Sequence, residues 1–335
     1  MKAMVLYKPA PVETNPLKYV EVETPSPSKE EVLIRIHKCG VCRTDLHIVE
    51  GELPPVKLPL IPGHQVIGRV VETGDGVEGV SKGELVGVPW LYKTCGVCKY
   101  CKRGLENLCD NALFTGYSVD GGYAEYMVAH YKYVHRIPNG LSDSDAAPLM
   151  CAGAVGYRSL KMTGLLGKQG VLGLFGYGSA AHLMLQTARK LGLRVYVFTS
   201  SPWKIEHALR NGAEWAGRTG DEPPEKLDAA IVYAPASEVF VEALKKTDKG
   251  GRVVLGEIYM TPVERLEYRL LWGEREVKTV ANVTRRDVSE FIEIALEHGI
   301  RPEVREYKLH EANEALKDLK HAQSLGQIVL DATST

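Results

Sequence analysis

The chain lacks any apolar run near the ~20 residues that a membrane-spanning helix needs, and it lacks an amino-terminal basic-then-apolar segment leading to a small-residue cleavage site. It also has almost no net charge, because 41 lysines and arginines against 42 aspartates and glutamates leave −1. The first two absences predict a cytoplasmic protein with no membrane partner. The third removes the electrostatic case for nucleic acid or an anionic surface. No internal repeat or low-complexity tract is present.

What remains is the composition of an ordinary globular protein. A length of 335 residues, 44% of them apolar and 25% charged, predicts two domains with ample core. Seven cysteines without a secretion signal form an odd set. That favours metal binding or catalysis over a disulfide framework.

The first third reads as short β-rich runs (Met4–Tyr7, Glu31–His37, Val66–Thr73, Glu84–Trp90) separated by clusters of Pro, Gly and Ser, the pattern of a barrel or sandwich. From about Ala146 the pattern changes. Strands at Val171–Phe175, Arg194–Thr199, Ala229–Tyr233 and Arg252–Gly256 alternate with helices at Ala180–Leu191, Trp203–Asn211 and Ser237–Leu244. Such alternation predicts an α/β, doubly wound parallel sheet. Helices at Val288–His298 and Glu311–Leu319 and strands at Tyr307–Leu309 and Gln327–Leu330 follow and could close either unit.

Cys95, Cys98, Cys101 and Cys109 are spaced C-x2-C-x2-C-x7-C. Four thiolates in one short loop suit a closed, tetrahedral, structural Zn²⁺. An iron–sulfur cluster is the competing reading, although the x7 gap matches neither ferredoxin spacing. A second group is ambiguous taken alone: Cys39 and Cys42 are followed by Arg43, Thr44, Asp45 and His47, and the pair could be a closed zinc site or a redox couple. Further along stand His64, within Pro62-Gly63-His64-Gln65, and Cys151.

With the four-cysteine loop and a later glycine-rich turn, this order resembles the zinc-dependent alcohol dehydrogenases of the medium-chain dehydrogenase/reductase superfamily, from Met1 to about Leu330. The resemblance implies a GroES-like, zinc-containing catalytic domain of residues 1–150 and 301–335 and a Rossmann NAD(P)-binding domain of residues 151–300. It implies an open catalytic zinc held by Cys42, His64 and Cys151, hence two Zn²⁺ per chain. Asp45 would orient His64, Thr44 would pass the substrate proton through the cofactor ribose to His47, and Arg43 would face the pyrophosphate. Trp90 would wall the substrate pocket, or else serve as an ordinary core aromatic. Cys39 is left to packing. The substrate would be a small alcohol or aldehyde, primary aliphatic first, aryl or allylic second and polyols third. The compact length resembles that of microbial members of the family, which implies a homo-oligomer, tetramer or dimer. A metal-free reductase of the same superfamily and a non-catalytic zinc protein are the alternatives. The first has no need of Cys42, His64 and Cys151 together, and the second has no need of the glycine turn.

That turn runs from strand Val171–Phe175 through Gly176, Gly178 and Ala181 into a helix. It is a G-x-G-x-x-A fingerprint for a dinucleotide pyrophosphate. At the end of the second strand, where an acid would bind the ribose hydroxyls of NAD, stand Thr199, Ser200, Ser201 and, close by, Lys204. The missing carboxylate and three hydroxyls favour NADP(H) over NAD(H). Two residues depart from the family. Where it commonly has Glu and Arg near the metal, this chain has Gln65 and Gln327, and the two amides are expected to pair.

Overall fold

The computed structural model describes residues 1–321 and 326–334. The chain divides into two units, Met1–Cys151 with Asn282–Leu296 and Pro302–Thr335, and Ala152–Ala281 with Glu297–Arg301.

The first unit is built on the long strand Glu31–Val41, whose buried alternation of Val32, Ile34 and Ile36 marks a core-facing side. Eleven residues exceed what any one neighbour covers. Its first half pairs antiparallel with Tyr126–His130 and its second half with Gln327–Asp331, which lies parallel to Val304–Lys308. Along its other edge run Gln65–Thr73, Leu85–Val88 and His135–Arg136. Gly68 is dictated by this packing, since a Cβ there would stand 2.3 Å from the Arg35 carbonyl oxygen. A two-stranded pair, Leu91–Lys93 with Leu113–Phe114, frames the cysteine-rich loop.

The second unit is a six-stranded parallel sheet in the order Trp215–Gly217, Arg194–Phe198, Val171–Phe175, Leu227–Val232, Thr247–Leu255, Glu276–Thr279. The chain reverses direction across the sheet at Val171–Phe175, the topological switch point of a doubly wound fold. The central strands are buried along almost their whole length, as parallel strands covered on both faces must be.

Neither outer strand is marked in the sequence. Trp215–Gly217 has three residues, and Glu276–Thr279 is exposed throughout, so neither carries an apolar run. Nor is helix Ala152–Thr163, whose glycines argue against helix by propensity. The fold requires one of them, because a Cβ on Gly156 would lie 2.7 Å from Met184 Cγ on the neighbouring helix.

One segment is placed differently from the expected 151–300 boundary. Helix Arg285–Glu297 falls almost wholly with the first unit, where Ser289 Oγ meets His135 Nδ1 at 3.0 Å and the Arg285 amide donates to Glu106 Oε1 at 3.1 Å. Its buried stripe of Val288, Phe291, Ile292 and Ala295 has helical period. Period shows that a helix buries a face; it does not show against what.

Candidate active site

Cys42 follows the central strand directly and caps the helix Arg43–Glu50. The cap is reciprocal: the Asp45 carboxylate accepts the Cys42 amide at 2.9 Å through Oδ2. Through Oδ1 the same carboxylate meets His64 Nδ1 at 2.9 Å. That contact fixes the imidazole so that Nε2 is the atom presented to a metal. Asp45 and His64 are both fully buried, and Tyr123, also buried, donates its hydroxyl to Asp45 Oδ2 at 3.3 Å. Sequence reasoning missed Tyr123. Its only signal was an aromatic beside glycines, and the packing explains the neighbour: a Cβ on Gly63 would lie 2.4 Å from the tyrosine ring.

The ligand atoms of Cys42, His64 and Cys151 all lie within 4.8 Å of one another. Their proton affinities show how closely they are coupled. The hydrogen bond from Cys151 pulls the Cys42 thiol well below its ordinary pKa against burial, and His64 adds to the effect. Cys151 is pushed well above its own value by that same bond and by burial. Burial would depress His64, but the charge and hydrogen bond of Asp45, followed by Cys42, outweigh it and hold the imidazole at about 10. Two sulfurs and an imidazole converging with a buried carboxylate behind them are a donor set in which a divalent cation can replace the protons.

Around this set, Thr44 Oγ1 lies 3.8 Å from Cys42 Sγ. His47 stands three residues further along the same helix face, with Nδ1 on the exposed Glu52. Arg43 is exposed at the start of that helix. Trp90 is 8% exposed and sets its ring edge-on to His64, with centroids 4.9 Å apart. Phe114 and Tyr117 stack on it at 5.3 and 5.7 Å. Cys39 is buried in the core, its thiol pushed well above its usual pKa chiefly by burial.

The pairing expected of Gln65 and Gln327 is not found. Among the described residues no hydrogen bond joins them, and Gln65 Oε1 and Gln327 Nε2 are each buried without a partner. The two flank the central strand, Gln65 opposite Gly40 on one side and Gln327 in the strand on the other, a separation of two strand spacings or about 10 Å between backbones. Gly40 is small because Gln65 lies over it, 2.9 Å from where a Cβ would be.

In the cysteine-rich loop, Cys95, Cys98, Cys101 and Cys109 bring their sulfurs together at 3.5 Å (Cys98 with Cys101), 3.5 Å (Cys109 with Cys95) and 4.0 Å (Cys95 with Cys101). A tetrahedron with Zn–S bonds of ~2.3 Å requires about 3.8 Å between sulfurs, so these residues fit zinc. Backbone amides of Cys98 and Cys101 donate to the sulfurs three residues earlier. The amides of Val97 and Cys98 bring the Cys95 thiol down to about 6, while burial pushes Cys109 up to about 11.

The glycine-rich turn fits a dinucleotide in its own unit. Gly176 adopts φ +87°, its amide donates to the Phe198 carbonyl at 2.8 Å, and a Cβ there would stand 3.2 Å from the Ala234 nitrogen. A Cβ on Gly178, which precedes the helix Ser179–Lys190, would meet nothing within 4 Å. That is open space at a helix N-terminus, where a pyrophosphate can approach. Ala181 is buried. Thr199 is buried just past the strand end, Ser200 is exposed, and Ser201 caps helix Pro202–Arg210 without using its hydroxyl for the cap. Lys204 extends over the Trp203 ring at 5.4 Å. His182 and His207, for which the sequence offered no motif, are buried beside Tyr177 of this turn, their own ring centroids 5.4 Å apart.

Residues 28–139 match the family described as the alcohol dehydrogenase GroES-like domain. The chain is 42% identical to a probable alcohol dehydrogenase, AdhA, of Mycobacterium tuberculosis, over 98% of this chain and 97% of that one. Two solved structures superpose along its length. Cobalt- and zinc-bound thermostable alcohol dehydrogenase from Pyrobaculum aerophilum has a TM-score of 0.89 and 26% identity, over 99% of each chain. CAD from Helicobacter pylori complexed with NADP(H) has a TM-score of 0.88 and 25% identity, over 100% of this chain and 98% of that one.

Proposed function

The chain belongs to the zinc-type alcohol dehydrogenases of the medium-chain dehydrogenase/reductase superfamily, and on that premise we propose that it interconverts small primary alcohols and aldehydes using NADP(H), with two zinc ions per chain. The observation that carries the reading is the convergence of Cys42, His64 and Cys151 on one point, with Asp45 holding the imidazole from behind. These three would hold the catalytic zinc, which supplies a Lewis acid that lowers the pKa of an alcohol and polarises a carbonyl. Cys95, Cys98, Cys101 and Cys109 would hold a second, structural zinc.

Each remaining role falls to a side chain of this protein. The Thr44 hydroxyl accepts the alcohol proton while donating its own onward, as a hydroxyl can do both. His47, anchored by Glu52 near solvent, is the group placed to take up that proton. Bound NADP(H) would supply the hydride acceptor and donor for the alcohol carbon. Arg43, Gly176, Gly178 and Ala181 serve the pyrophosphate, and Thr199, Ser200, Ser201 and Lys204 the adenosine ribose with its phosphate. The stacked face of Trp90, Phe114 and Tyr117 walls the substrate pocket. It also supports a second reading, an aryl or allylic alcohol, since flat rings stack on flat rings.

We propose further that the protein is a cytoplasmic homo-oligomer, a dimer or tetramer. Strand Glu276–Thr279 is an open edge exposed at every residue, beside Tyr268 and Trp272 at 73% and 64% exposure. A two-fold axis through Val277 would set Glu276 of one copy against Lys278 of the other.

Zinc analysis together with a panel of aliphatic and aryl alcohols and aldehydes, assayed with both cofactors, tests the reading. Two zincs per chain, turnover of small primary alcohols and a lower KM for NADP⁺ than for NAD⁺ are expected. One zinc per chain and no turnover of any alcohol would overturn it.

A further inference from the structure

Strands Arg194–Phe198 and Trp215–Gly217 run parallel, with Phe198 beside Gly217 and the Thr199 amide donating to the Gly217 carbonyl at 2.9 Å. The residues that leave the two carboxyl ends, Thr199 and Arg218, are therefore neighbours about one strand spacing (~4.8 Å) apart. In an open parallel sheet this is the end over which ligands lie. Nothing in the sequence marks Arg218, because Trp215–Gly217 is too short to be read as a strand.

The backbone of Arg218 is pinned. Its amide donates to Asp221 Oδ2 at 2.7 Å, and its carbonyl accepts the Asp221 amide at 3.0 Å, closing a tight turn. Its side chain is exposed, and among the described residues the guanidinium makes no hydrogen bond or ion pair. Of the carboxylates nearby in sequence, Asp221 is bonded through Oδ2 to the amide of Arg218 itself, not to its guanidinium, and Glu222 accepts from Lys246 Nζ at 3.3 Å. Across from Arg218, no acid follows the strand at Thr199, Ser200 or Ser201, and the Ser201 hydroxyl is not used in capping its helix. Pro202 opens that helix, whose first turn favours an anion.

We infer that Arg218 is a specificity residue for the cofactor: its guanidinium binds the 2′-phosphate of NADP(H), opposite the hydroxyls of Ser200 and Ser201 and the ammonium of Lys204. The inference rests on the NADP(H) reading above and adds what that reading lacked, a guanidinium whose planar fork matches phosphate where a lysine offers only a point charge. Ribose 2′-phosphate is a dianion, so a pinned and otherwise unused arginine is the chemistry that separates it from a bare hydroxyl.

Calorimetric titration of the whole protein with 2′,5′-ADP and with 5′-AMP tests this without turnover. Wild type is expected to bind 2′,5′-ADP more tightly. Arg218→Gln is expected to lose about tenfold or more of that affinity, the scale of a charge-assisted hydrogen bond, while 5′-AMP stays within about twofold. Arg218→Lys should fall between. The thermal midpoint should not move, because the side chain is exposed. If wild type discriminates and Arg218→Gln matches it on 2′,5′-ADP, the assignment of Arg218 is overturned and the NADP(H) reading stands. Equal weakening of both ligands overturns the assignment in favour of a structural role. If wild type binds the two alike, the NADP(H) reading fails and takes the assignment with it.

Discussion

Asp45 Oδ1 lies 2.9 Å from His64 Nδ1 with both side chains fully buried, and the other oxygen of the same carboxylate holds the amide of Cys42. One side chain thus sets the position of one proposed ligand and the orientation of another. Replacing Asp45 by Asn keeps the shape and removes the charge. Affinity for zinc at Cys42, His64 and Cys151 should fall about 10- to 100-fold, with the four-cysteine loop unaffected. Release of zinc to a chromogenic chelator should show one ion per chain leaving faster and the other at the wild-type rate; two unchanged rates would remove Asp45 from this role.

The two metal sites should separate by variant. Cys42→Ser should abolish alcohol oxidation and leave one zinc per chain with a folded protein. Cys95→Ser should instead lower the thermal midpoint, because the loop that its sulfur closes loses its crosslink. Elemental analysis beside calorimetry checks both, and retained turnover in Cys42→Ser would sink the proposed mechanism.

Gly176 and Gly178 are constrained for different reasons. Gly176→Ala places a side chain at φ +87° against the Ala234 nitrogen, and should cost roughly 1–3 kcal/mol of stability. Gly178→Val enters open space. It should leave the thermal midpoint within a degree or two yet abolish NADPH binding, measured by nucleotide fluorescence, because the added methyls occupy the pyrophosphate's approach. Unimpaired NADPH binding by Gly178→Val would place the pyrophosphate elsewhere.

Acid should destabilise the first unit through His135. Burial, reinforced by Arg285, holds this imidazole down at about 4, and its Nε2 is buried without a partner. A folded pKa below the unfolded value of ~6.5 means that the unfolded chain binds the extra proton between those limits. Stability therefore falls as pH drops through that window, by on the order of 2 kcal/mol between pH 7 and pH 5. Denaturant titrations of wild type and His135→Leu at the two pH values should show the difference shrinking in the variant; an equal pH dependence would exclude His135 as its source.

An added charge should open the edge strand. In Val277→Glu the two-fold related carboxylates would face each other, so light scattering should give a lower oligomeric state at unchanged secondary structure. A wild-type mass for this variant would place the interface elsewhere.

Much of this protein is legible in one dimension because its chemistry is local. Cys95, Cys98, Cys101 and Cys109 enclose a single loop, so their spacing alone encodes a tetrahedron. Strand, Gly176, Gly178, Ala181 and helix form one continuous unit whose turn needs glycine for backbone reasons. The alternation of buried strands with helices likewise announces the parallel sheet, since period is a property of the chain itself. The sequence also singled out Cys42, His64 and Cys151, through the order of motifs shared with a family. Contacts between distant segments were decided by the tertiary structure. Tyr123 reaches Asp45 from 78 residues away. Helix Arg285–Glu297 has an apolar stripe that does not say which unit it faces, and Trp90 became a neighbour of His64 only when two strands and a loop closed around it. Gln65 and Gln327, expected to pair, are kept apart by the width of the central strand, and Arg218 stands beside Thr199 only because a three-residue strand completes the sheet. Spacing along the chain fixes what a single turn can hold, whereas proximity between turns is set by sheet register and packing, which no local pattern records.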